Sequence, residues 1–103
     1  MAKTRKKMPP THPGELLRSE IMPAVRLTQE RLAELLGVSR RTIHEIVTQK
    51  RSVTADMAHR LARFFNTTAE FWLGLQQDVD LWQAERAKGE QYRKIRPLKR
   101  KAP

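Results

Sequence analysis

The stretch from Leu32 to Val47, LAELLGVSRRTIHEIV, places a tight demand on any fold that contains it. Ala33 offers a small side chain, Gly37 follows four residues later, and Ile43 and Ile46 recur three residues apart. Two helices that cross closely need a small residue on the first, because a larger one holds the axes apart. Gly37 marks a stop between them, where a left-handed backbone is least strained without a Cβ. Ile43, Ile46 and Val47 then anchor the second helix inward, and Leu32, Leu36 and Val38 complete the apolar side. Each position that the crossing constrains carries a residue that suits it.

The rest of the chain from Pro13 to Gly89 also repeats at helical spacing, with no useful run of alternating polarity. A first helix opens at HPGELLRSEI, where Pro13 and Gly14 break the incoming chain and Leu16, Leu17 and Ile21 share a face. Pro23 ends that helix or bends its last turn. Thr28, Ser39, Thr54 and Thr68 stand where helix N-caps are needed. The fourth helix carries Met57, Ala58, Leu61, Ala62 and Phe65, and the fifth runs from Thr68 to near Gly89. Five helices around one core is the expected architecture, an all-α domain. Residues 13–89 form it, between a basic flexible tail at 1–12 and another at 90–103.

Such a pair of short helices at residues 28–47 is a helix-turn-helix, in which the second helix enters the DNA major groove by its N-terminal part. With Ile43, Ile46 and Val47 turned inward, Ser39, Arg40, Arg41, Thr42 and Glu45 are the candidate base contacts. Arginine donates two bonds to guanine, and threonine reaches a phosphate or a thymine methyl. Glu45 accepts from a cytosine or simply pairs with an arginine; the sequence leaves both open. Gln29 before this helix, and Thr48, Lys50 and Arg51 after it, are placed for phosphates. His44 faces outward with no particular role.

Charge supports a polyanionic partner. The net charge is +10 over 103 residues, and the excess lies in the tails. Lys3, Arg5, Lys6 and Lys7 stand without an acid in residues 1–12; Arg93, Lys94, Arg96, Lys99, Arg100 and Lys101 do so in 93–101. Such runs suit phosphate backbones with little sequence preference. Residues 40–63 are basic, whereas 66–92 hold five acids against Arg86 and Lys88. There is no cysteine, no apolar run long enough for a membrane span and no apolar leader. A cytoplasmic protein without disulfides follows. His12, His44 and His59 lack the companions of a metal site, and no phosphate loop or nucleophile–base pair occurs. Neither a cofactor nor an enzymatic activity is expected.

The segments THPGELLRSEIMP, RLAELLGVSRRTIHEIV, KRSVTADMAHRLARFF and NTTAEFWLGLQQDVDLWQAE resemble the HigA-type antitoxins, a helix-turn-helix family of the phage repressor and Cro class. The resemblance covers roughly residues 10–86. It implies a five-helix lambda-repressor-like domain, a dimer, promoter binding, and neutralisation of a HigB-type, RelE-like toxin that cuts messenger RNA. The family's reading positions match Ser39, Arg40, Arg41 and Thr42, with Gln29 on the backbone. Where the family usually has Asn-Gly this chain has Thr48-Gln49. A left-handed residue there costs ~1 kcal/mol or more in strain when it is not glycine. A HigB-type toxin is expected to be basic, so it would dock on the acidic region 66–92 or leave the tails to DNA.

Trp72, Leu75, Val79 and Trp82 recur along one side of the fifth helix. They are either core or, at the far end, a dimer or toxin interface. The favoured function is a dimeric repressor that reads a palindromic operator in double-stranded DNA and neutralises a HigB-type toxin. The alternatives are a regulator of the same fold without a toxin, and an interaction module that binds the toxin with little DNA binding.

Overall fold

The structure, a computed structural model, describes residues 8–99. Lys3, Arg5, Lys6 and Lys7, and Arg100 and Lys101, lie outside the described residues. Among those described, five helices follow one another without a strand. The first comprises Pro13–Leu16, a π-helical turn Leu17–Ile21 and Met22–Val25; then come Gln29–Leu36, Arg40–Val47, Ala55–Phe65 and Ala69–Arg93.

Local chemistry sets each start. Thr28, Ser39, Thr54 and Thr68 all have extended backbones, and their hydroxyl oxygens accept from the N–H three residues on. Such a cap contributes about 1 kcal/mol. The first helix is capped by a residue that sequence reasoning passed over. His12 is buried, and its Nδ1 accepts from the Gly14 N–H at 2.9 Å. Pro23 bends this helix rather than ending it. Proline has no N–H and crowds the preceding turn, and the chain widens to a π turn just before it. The helix stops only at Arg26, in the left-handed region at φ 56°. Gly37 (φ 73°) and Asn66 (φ 58°) end the second and fourth helices in the same way.

The core lies where these helices meet. Leu17, Leu32, Ile43, Ile46, Val47, Ala58, Leu61 and Trp72 are almost wholly out of water. Each large apolar side chain buried this way contributes roughly 1.5–3 kcal/mol. Trp72 occupies the centre, packed near Phe65, and its indole Nε1 donates to Thr67 Oγ1 at 2.8 Å, so its one polar atom is satisfied.

The fifth helix outlasts the core. Twenty-five residues of helix run about 37 Å, and the molecule measures 54 × 27 × 22 Å. The expected end near Gly89 becomes a local break: Lys88 leaves helical geometry at φ −132°, ψ 17°, and helix resumes to Arg93. Arg93 Nη1 reaches back to Glu85 Oε2 at 2.8 Å, directly over Gly89. A Cβ at Gly89 would lie 2.5 Å from that carboxylate oxygen. The glycine lets the ion pair fold across the helix.

Candidate nucleic-acid interface

The second and third helices pack as the Ala33–Gly37–Ile43 spacing requires. Ala33 is buried, and the turn between them closes through Val38 N–H to Ala33 O at 3.0 Å. Arg60, on the fourth helix, secures that turn from outside. Its Nη1 donates to Leu36 O at 2.8 Å and to Gly37 O at 3.3 Å, while its Nε donates to Asp56 Oδ2 at 2.8 Å. Carbonyls left over at a helix end are thus satisfied by a cation, which also suits the negative end of the dipole. Arg60 was not among the sequence candidates, because its reach spans 24 residues and no local pattern reveals it.

The third helix is seated by the start of the first. Gly14 is buried against the backbone of Ile46 and Val47, so closely that a Cβ would collide with the Ile46 carbonyl. The loop after that helix is held by Gln76, buried on the fifth helix. Gln76 Oε1 accepts from the Val53 N–H at 2.8 Å, and Nε2 donates to Asp80 Oδ1 at 3.0 Å. The loop that follows the third helix is therefore tied to the fifth.

On this seat the candidate base contacts come to one surface. Arg40 and Arg41 open the helix and are exposed, and Arg40 makes no ion pair among the described residues. Ser39 Oγ accepts from the Thr42 N–H at 3.0 Å, and the two hydroxyls lie 2.9 Å apart in a hydrogen bond. Glu45 is paired with two arginines. Arg41 Nε donates to its Oε2 at 2.9 Å, and Arg51 Nε and Nη2 donate to its Oε1 at 2.8 and 2.6 Å. These bonds, Arg41's first, hold the Glu45 carboxyl below the ordinary carboxylate range.

The backbone-contact candidates flank that surface. Gln29, the first residue of the second helix, meets the third through its Oε1, 3.2 Å from His44 Nδ1. With Nδ1 protonated, His44 donates and the Gln29 amide group is left free to donate elsewhere. His44, given no role from sequence, orients a neighbour. Thr48 Oγ1 donates to His44 O at 2.7 Å, and Lys50 is exposed.

The third helix ends in a left-handed residue, and that residue is Gln49, at φ 64°. Lys50 N–H bonds Glu45 O at 2.8 Å, and Gln49 N–H bonds Ile46 O at 2.9 Å. These are the two bonds of a Schellman ending, which ordinarily has glycine at this point. Thr48-Gln49 thus keeps the turn that Asn-Gly would make, with the strain the substitution implies.

The interface candidates on the fifth helix divide. Trp72 is fully buried in the core cluster, and Val79 is 5% exposed outside that cluster, so neither offers free surface to a partner. For Trp72 the core alternative holds, and for Val79 burial corrects the assignment to a dimer or toxin surface. Leu75 is partly buried against that core. Trp82 remains half-buried, with the Arg86 guanidinium 4.8 Å over its ring. Leu81, which was not a candidate, is 61% exposed beside it. Among the described residues there is no metal-ligating cluster and no helix long and apolar enough to cross a membrane.

Comparison with known proteins places this geometry. A helix-turn-helix family model matches residues 20–72. An Escherichia coli K12 protein described as the uncharacterised HTH-type transcriptional regulator YbaQ is 45% identical over 76 residues, covering 74% of this chain and 67% of its own. The Vibrio cholerae antitoxin HigA-1 is 35% identical over 98 residues, 95% of this chain and 90% of its own. The solved structure of the Pseudomonas aeruginosa antitoxin HigA with the higBA promoter superposes with a TM-score of 0.82 at 43% identity, over 86% of this chain and 98% of that one. These relatives are described as a transcriptional regulator and as antitoxins, and the resemblance carried by the four sequence segments holds along nearly the whole chain. The chain belongs to the helix-turn-helix family, among its HigA-type antitoxins.

Proposed function

We propose that this chain is a dimeric antitoxin that represses its own operon by reading a palindromic operator and neutralises a HigB-type, mRNA-cleaving toxin. The observation that carries the reading is the exposed N-terminal face of the third helix. Arg40 and Arg41 stand there beside Ser39 and Thr42, on a helix seated from behind on Gly14 and followed by a loop that Gln76 ties to the fifth helix. That is the face a helix-turn-helix presents to base edges. Gln29, Thr48, Lys50 and Arg51 contact phosphates on either side. The similar Pseudomonas HigA carries its promoter in the solved structure, which supports the same target class here.

One third helix reads too few base pairs for useful specificity, so two copies bind half-sites about one helical turn apart. Trp82 and Leu81, on the half of the fifth helix beyond the core, supply apolar surface for that pairing or for the toxin. The basic residues 90–103 add phosphate contacts, and the acidic side of residues 66–92 is the part that suits a basic toxin. Operator and toxin both place the protein in the cytoplasm.

The test has two arms. A duplex from immediately upstream of the chain's own gene is titrated in a mobility-shift assay against an unrelated duplex at one salt concentration. A specific affinity about a thousandfold or more above the unrelated duplex is expected. Growth is then followed when the neighbouring toxin-sized reading frame is expressed with and without this chain. Rescue supports the antitoxin role; specific DNA binding without rescue favours a regulator that has no toxin.

A further inference from the structure

Glu45 is the only acid on the third helix. An acid there repels the phosphates that a DNA-reading helix approaches, so its presence asks for a compensating role. Helix stability does not supply one. The Arg41–Glu45 pair is solvent-exposed on the arginine side and has its acid C-terminal to its base, the weaker order for a pair four residues apart.

The geometry points to Glu45 as a positioning residue that holds Arg41 poised to read a guanine and tethers Arg51 beside the neighbouring backbone. This rests on the reading above that the third helix enters the major groove. The Glu45 side chain is 23% exposed, Arg51 is 47% exposed and Arg41 is 84% exposed. The carboxylate is thus sheltered while the Arg41 guanidinium stands out into solvent. Arg41 is held through Nε alone, which leaves Nη1 and Nη2 free to donate end-on to the O6 and N7 of a guanine. Three donors from two arginines already fill most of the carboxylate's roughly four acceptor sites. A cytosine amino group would have to displace or share one, so direct base reading by Glu45 is the poorer use of it. An arginine held in its reading posture loses less side-chain freedom on binding than a loose one. That gain is realised only where a guanine meets it, so it raises discrimination rather than general affinity.

The experiment compares wild type, Glu45→Gln, Arg41→Ala and the double variant on one probe. The probe is a duplex enriched by the wild-type chain from a randomised pool, together with its single-base-pair variants. Glu45→Gln is expected to cut discrimination at the base pair read by Arg41 about tenfold, within the range of a bidentate contact. Binding to unrelated DNA is expected to stay level or tighten, since a negative charge is lost. The double variant is expected to discriminate no worse than Arg41→Ala alone, because one residue acts through the other. Helical content and thermal midpoint are recorded alongside, and Glu45→Ala repeats the measurement without a side chain that can still hydrogen-bond Arg41. Uniform loss on every duplex, or unchanged discrimination, overturns the assignment. So does loss at a base pair other than the one Arg41→Ala affects, which would make Glu45 a direct reader. A wild-type chain that enriches no sequence overturns the DNA-reading role itself, a failure distinct from these.

Discussion

Gly14 sits directly on the Ile46 carbonyl: a Cβ at Gly14 would fall 1.7 Å from that oxygen and 3.1 Å from the Val47 Cα. Both obstacles are backbone, so no side chain can swing away to make room. The approach sets how deeply the third helix is seated, and hence how far its outer face projects. Gly14→Ala is therefore expected to destabilise the fold by about 3 kcal/mol, at the upper end for overpacking. It should also weaken DNA binding beyond the unfolded fraction, since the helix must shift to fit a methyl group. Urea denaturation with a parallel DNA titration checks both. An unchanged midpoint would mean that the two helices separate at little cost.

Gln49 is left-handed at the end of the third helix, where its Cβ crowds the following backbone. Its side chain makes a single long contact, 3.5 Å from Nε2 to Glu15 Oε1, too weak to offset the strain. Gln49→Gly is expected to stabilise by about 1 kcal/mol, after the greater freedom glycine has in the unfolded chain. Gln49→Ala keeps the Cβ and should give no such gain. Thermal midpoints of the three proteins decide it, and equal shifts for Gly and Ala would exclude backbone strain as the cause.

These two positions mark the limits of what the sequence makes legible. Local signals were readable because they act within one turn: Thr28, Ser39, Thr54 and Thr68 cap helices as their spacing implied. The crossing of the second and third helices was readable because Ala33 and Gly37 fit little else. What joins distant segments was not. Gly14 reads locally as a breaker beside Pro13, yet its role is contact with Ile46. His44 finds Gln29, Arg60 finds Leu36, and Gln76 finds Val53, each across fifteen or more residues. The fifth helix left core and interface open for a related reason. An apolar stripe looks the same whether it faces its own core or a partner; Trp72 faces the core, and Val79 is buried outside the core cluster.

Acidification is expected to loosen the fold through His12. Its Nδ1 accepts the Gly14 N–H, which requires that nitrogen to be unprotonated. Burial lowers the His12 pKa, and the nearby charge of Asp80 opposes that shift only partly. The unfolded imidazole then takes up its proton first, near its ordinary pKa of 6.5. The stability this group contributes is fully present above that pH and is lost as pH falls below it toward the folded pKa. His12→Asn keeps a capping oxygen and cannot titrate. Thermal midpoints at pH 7.5 and about pH 5 should fall further for wild type than for this variant. Parallel curves would show that His12 titrates alike in both states.

The two classes of DNA contact are expected to separate under salt. Arg41 is held by Glu45 on the exposed face of the third helix, whereas Lys94, Arg96 and Lys99 follow the end of the fifth and are exposed. Arg41→Ala should weaken operator binding by ~1–3 kcal/mol and relax one base position per half-site. It should leave an unrelated duplex almost unaffected. Truncation tests the other class, and the structure fixes where to cut. Arg93 closes on Glu85 over Gly89, so removal of residues 95–103 spares that ion pair and the helix end. The loss of Arg96, Lys99, Arg100 and Lys101 should weaken operator and unrelated DNA alike. Each of these charges that meets a phosphate adds about one unit to the slope of log affinity against log salt. A flatter slope with an unchanged specificity ratio is the expected result. An unchanged slope would remove the C-terminal segment from the phosphate contacts, and a lower ratio would move it to the bases.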